Sequence, residues 1–174
     1  FSQREGTQSV EIGAGFLEIR HDVPYSGWEA LRPLILQMYS ARGEVALLGA
    51  VREISLRYIN RLEIPDSFDA LSEVITMAPV LHGDLERPLE RFYQEFVLRH
   101  DDPVGVLVHR SGIPSQNDTD NVVMVDLEFI STLETLGSEV DAVHSWLDAA
   151  HDVVLNSFRA SLAAKFYHHL EQGA

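Results

Sequence analysis

Glu53-Ile54-Ser55-Leu56-Arg57-Tyr58-Ile59-Asn60-Arg61-Leu62-Glu63-Ile64-Pro65 alternates residue by residue between two faces. Ile54, Leu56, Tyr58, Leu62 and Ile64 share one face with Asn60, and Ser55, Arg57, Ile59, Arg61 and Glu63 take the other. Strict alternation over this length predicts a half-buried β-strand, which Pro65 ends because proline cannot donate to a ladder. An inward asparagine must find hydrogen-bond partners, and the two arginines opposite need carboxylates or water.

The flanking sequence reads as short strands and three helices. Strands are expected at Phe1 to Arg4, Gln8 to Ile12 and Phe16 to Arg20, with turns at Gly6-Thr7 and Gly13-Ala14-Gly15. Ser26 and Glu29 have capping-box spacing and open a helix whose apolar positions are Trp28, Leu31, Leu34, Ile35 and Met38. Pro33 interrupts its first turns and Gly43 stops it. After Pro65, Asp66 or Ser67 caps a short helix striped by Phe68, Leu71 and Ile75, and Ala78 to Pro88 reads as loop. Three strands follow, near Leu89 to Arg99, Gly105 to Arg110 and Asn121 to Thr132. In the last, Val123, Val125, Leu127 and Phe129 face one way and Met124, Asp126, Glu128 and Ile130 the other, so the sheet's second face is wet or covered by polar contacts. Ser138 with Asp141 then caps a single helix running to about Glu171. Short turns between strands argue for an α+β fold. The simplest packing is a twisted antiparallel sheet against a long C-terminal helix, with a second helix between strands.

Leu56-Arg57-Tyr58-Ile59-Asn60-Arg61 followed by Glu63-Ile64-Pro65 resembles the signature strand of a sporadically distributed, uncharacterised prokaryotic protein family. Gly15-Phe16-Leu17-Glu18-Ile19, leading into Tyr25-Ser26-Gly27-Trp28-Glu29-Ala30-Leu31-Arg32-Pro33-Leu34, is similar to that family's strand-then-helix passage. Trp146-Leu147-Asp148-Ala149-Ala150-His151 with Phe158 is similar to its last helix. The resemblance carries no catalytic residues onto the chain. It implies a further N-terminal portion, and Phe1 in place of Met agrees with one.

At 174 residues the chain fits a single domain over 1–174 with a real core. No apolar run approaches the roughly 20 residues of a membrane span. Zero cysteines exclude disulfides, thiolate metal sites and a Cys nucleophile, which fits a cytoplasmic protein. With 27 acidic and 13 basic residues the net charge is −14, which argues against nucleic acid as a partner and favours solubility or a partner with a basic surface.

Candidate chemistry is sparse. His144, Asp148 and His151 lie on one helical face, a spacing that can gather imidazole and carboxylate ligands. The further ligands and Glu base of an HExxH-type site are missing, so we expect no metal there and no cofactor, and read His151 as a partly buried, hydrogen-bonded histidine. Arg57 and Arg61 can clamp an anion with Tyr58 and Asn60 in support, but cross-strand ion pairs with Asp126 and Glu128 are the favoured reading. Asn117-Asp118-Thr119-Asp120-Asn121 lacks the Gly and closing Glu of an EF-hand loop and reads as a solvated turn. Neither P-loop, GxGxxG nor GxSxG is present.

Two function classes remain. The first is a non-catalytic acidic interaction protein, an accessory, inhibitor or antitoxin-like component of a prokaryotic defence or stress module. The second is a helix-grip-like domain that binds or converts a small molecule. For the first class, apolar residues spread beyond one stripe of the long helix place a partner or self-association surface at Trp146, Val153, Leu162 and Phe166.

Overall fold

The structure, a computed structural model, describes residues 2–5, 8–13, 16–21, 27–41, 52–80, 91–114, 121–132, 134 and 140–172. The expected caps Ser26 and Ser138, the stop at Gly43, the turns at 6–7 and 14–15 and the 117–120 segment lie outside these residues. The chain divides into two compact units. The first three strands form a sheet of their own.

Unit 1 comprises residues 1–54 and 131–148. In it β1 (Ser2–Glu5), β2 (Gln8–Gly13) and β3 (Phe16–His21) pair antiparallel in chain order. Helix α1 (Trp28–Ala41) follows Gly27, whose φ of +93° is open to glycine at little cost. The Gly27 carbonyl then accepts from the amides of Ala30 and Leu31 at 3.3 and 3.2 Å, which starts the helix. Leu31 and Tyr39 bury its inner face.

Unit 2 comprises residues 55–130 and 149–174. Its centre is a four-stranded antiparallel sheet, ordered β4 (Glu53–Glu63), β7 (Val122–Thr132), β6 (Val104–Gly112), β5 (Tyr93–Asp101). The alternation in β4 is realised: Leu56 and Leu62 are buried and Tyr58 and Asn60 half-buried, while Ser55, Arg57, Ile59, Arg61 and Glu63 are exposed. In β7 the side chains of Val123, Val125, Leu127 and Phe129 are wholly removed from solvent. The Asn60 side-chain amide donates to the Val125 carbonyl at 3.2 Å, so the inward asparagine satisfies itself across the ladder.

The long helix α2 runs from Val140 to Ser161 and gives way to a short helix α3 (Ala164–Glu171), instead of continuing unbroken to Glu171. Its cause is an invading segment. The Thr76 amide donates to the Ser161 carbonyl at 2.8 Å, its hydroxyl to the Ala160 carbonyl at 2.8 Å, and the Ala163 amide to Val74 at 2.9 Å. These contacts replace the helical ladder at the break and are closed by a bridge between Ile75 and Leu162. The expected short helix shrinks to a single 3-10 turn, Leu71–Glu73, because the residues after it serve this bridge. Among the described residues no helix is long and apolar enough to cross a membrane.

Candidate functional site

The outer face of the four-stranded sheet carries a lattice of ion pairs. Arg57 forks onto Asp126 at 2.8 and 2.6 Å, and Arg110 reaches Glu95 at 2.8 Å, Glu128 at 3.1 Å and Asp126 at 3.5 Å. Arg61 donates to Glu63 on its own strand at 2.8 Å. Burial opposes the Arg110 charge, but hydrogen bonds to Glu95 and Glu128 outweigh it and raise its pKa above the ordinary arginine value. The Arg57 pKa is likewise raised, chiefly by the hydrogen bonds to Asp126. An external anion at Arg57 would have to displace a bidentate carboxylate already in place. The arrangement therefore ties all four strands together more readily than it binds a ligand.

The candidate metal ligands divide between two settings. In unit 1 Arg32 grips both oxygens of Asp148, Nε at 2.5 Å and Nη2 at 2.6 Å, and the same Nη2 stands 3.5 Å from Nδ1 of His144. Hydrogen bonding to Arg32 holds the Asp148 carboxyl below its ordinary pKa. In unit 2 His151 lies beside Tyr58, the hydroxyl 3.5 Å from Nδ1. Among the described residues no three His, Cys, Asp or Glu side chains are grouped as a metal site.

A histidine and a serine that sequence reasoning did not single out meet in the core of unit 2. Nε2 of His109 is 2.8 Å from Oγ of Ser161, and that hydroxyl donates to the Ser157 carbonyl at 2.6 Å. The serine has one hydrogen to give, so Nε2 must be the donor and Nδ1 the bare acceptor. Nδ1 is buried with no partner among the described residues, and burial pushes the imidazole pKa down. The pair has the composition of a nucleophile and its base. Both residues are closed off from solvent, however, and the hydroxyl is turned to a helix carbonyl, so the arrangement is structural.

The expected partner surface on the last helix is corrected in three of its four residues. Trp146 is buried and its indole donates to Ser131 at 2.8 Å, Phe166 packs edge-on against Phe68 with ring centres 5.2 Å apart, and Leu162 is buried at the Ile75 bridge. Only Val153 is half-exposed. It lines an open groove of about 530 Å³ with Asp152, Asn156 and Ser157 of α2 and His100 and Pro103 of the β5–β6 hairpin.

Exposed large apolar residues gather instead on β5. Tyr93, Phe96, Val97 and Leu98 are 69, 38, 64 and 49% exposed, so this strand is bare on both faces. One of its long sides pairs with β6 from Tyr93↔Gly112 to Asp101↔Val104, and among the described residues no strand lies on the other. Charged side chains stand outward on both edges, Arg57, Arg61 and Glu63 on the opposite edge β4 and Glu95, Arg99 and Asp101 on β5, but among the described residues β4 exposes one large apolar side chain, Ile59, against four on β5.

Comparison with protein-family models, with curated proteins and with solved structures finds no match.

Proposed function

We propose that this chain is a non-catalytic, acidic interaction protein, an accessory or inhibitory component that engages its partner by strand addition at β5. The observation that carries this reading is the nine-residue edge strand with Tyr93, Phe96, Val97 and Leu98 in solvent. Exposed apolar edges are a standing aggregation hazard, and soluble proteins usually blunt them with charge, proline or a covering element. An added strand satisfies the free main-chain groups while pockets and side chains along it supply selectivity. The closed His109–Ser161 pair and the internally matched arginines point the same way, since the first is buried and the second are paired with the chain's own carboxylates.

The reading is tested by placing a photoreactive benzoylphenylalanine at Val97 or, as a control, at exposed Ser72, in protein produced at native level in its source cells. A discrete protein adduct is expected from position 97 and not from 72. Equal labelling at both positions, or none at 97, would overturn strand addition.

A further inference from the structure

We propose that two copies of this chain pair antiparallel through β5, about a two-fold axis at Val97, joining their four-stranded sheets into one of eight strands. The proposal rests on the strand-addition reading and names its partner as a second copy.

The argument is one of register. Along an edge strand the main-chain groups of alternate residues point outward, so a two-fold axis between identical antiparallel strands passes through a residue and never between two. Five residues can hold it. An axis at Glu95 or Arg99 sets like charges face to face, and one at Leu98 sets Glu95 against Asp101. An axis at Phe96 places Glu95 opposite Val97 and leaves both charges without a counterpart. At Val97 every position finds a match. Val97 meets itself, Glu95 meets Arg99 of the second copy, and on the helix-side face Phe96 meets Leu98 and Gln94 meets His100. Directly opposed side chains in such a pair have their Cβ atoms about 4.5–5.5 Å apart, within reach of each contact.

The side chains are poised for this. Arg99 is exposed and makes no ion pair among the described residues. Glu95 receives Arg110 at 2.8 Å and the Tyr93 hydroxyl at 3.2 Å, both on Oε2, which leaves Oε1 for a third donor. Phe96 and Leu98, which the chain's own helix leaves half uncovered, would cover one another across the axis. A two-fold contact also closes on itself and spares the second edge, so growth stops at two copies.

The chain has no cysteine, so each engineered thiol is the only one present. Under mild oxidation Val97→Cys should cross-link to a dimer, as should an equimolar mixture of Glu95→Cys and Arg99→Cys chains. Glu95→Cys alone should not, because its two copies stand four residues out of register, about 13 Å apart at about 3.3 Å per residue, too far for a disulfide. In sedimentation of the full chain, Arg99→Glu should weaken association at least about tenfold, and Arg99→Glu mixed with Glu95→Arg should recover it in the heterodimer. Cross-linking of Glu95→Cys alone at the rate of Val97→Cys would overturn the register. A chain that stays monomeric while Val97 photolabels a different protein would overturn self-pairing and leave strand addition standing. Absence of both would remove the two together.

Discussion

At the scale of single residues, His109 is the group with most at stake. Its ring is buried, its Nε2 is committed to Ser161, and its Nδ1 has no partner among the described residues, so protonation would place a charge in a desolvated site that its own main chain and Asp126 only partly offset. The folded-state pKa lies below the ordinary value of 6.5 because burial disfavours the charged ring. The unfolded chain therefore takes up the proton first. Stability from this group is fully present above about pH 6.5 and is lost as the pH falls toward the folded value. His109→Gln keeps an amide donor toward Ser161 and does not titrate. Its urea midpoint should change less between about pH 7.5 and about pH 5.5 than that of the parent, and equal changes would show that another group controls this window. None of this is legible in the sequence, because a histidine in an alternating strand does not announce which helix carbonyl or serine it will meet. Asn60 and Arg57 are the contrast. Their partners, Val125 and Asp126, lie on the strand that flanks them, and the alternation alone limits each to one face of it.

At the scale of elements, β5 depends on how closely β6 approaches it. A Cβ added to Gly112 would stand 2.6 Å from the Phe92 carbonyl oxygen and 3.4 Å from the Tyr93 Cα, both main-chain atoms with no flexible side chain to yield. Gly112→Ala should therefore push the start of β5 outward and destabilise the fold by about 1–3 kcal/mol, the usual cost of overpacking that moves backbone. Urea unfolding measures the cost, and faster amide exchange at 92–94 should localise it; an unchanged midpoint would mean the strand shifts freely. Element positions were legible because period-two patterning survives in β4 and β7 whatever their neighbours are. The break at Leu162 and Ala163 was not. No proline or glycine marks it, and it arises from Val74, Ile75 and Thr76, more than eighty residues earlier. The partner surface was misplaced for the same reason: Leu162 and Phe166 are apolar on the helix, but covered by Ile75 and Phe68, whose arrival no helical period encodes. That β5 would lie at an edge is likewise a property of strand order and not of its own residues.

At the scale of the whole molecule, charge and apolar surface oppose each other. Each chain carries a net charge of −14, so two copies repel at long range even where Glu95 and Arg99 attract at contact. Salt acts unequally on these two effects. Repulsion spread over the surface acts across many ångströms and is screened once the Debye length shrinks to about 10 Å at 0.1 M, whereas opposed side chains within an ion-pair distance are screened less. The apolar contacts of Val97, Phe96 and Leu98 are not weakened by salt at all. Dimer affinity should therefore increase as ionic strength rises from about 0.01 M to about 0.15 M, the reverse of an interface held mainly by opposite charges. Arg99→Glu adds an acid–acid contact to the same background, so its association should be weaker at every salt concentration and should gain more from added salt. Sedimentation equilibrium across the salt series separates these outcomes. Affinity that falls steadily with salt in the parent chain would mean that charge attraction, and not the apolar centre of β5, holds the two copies together.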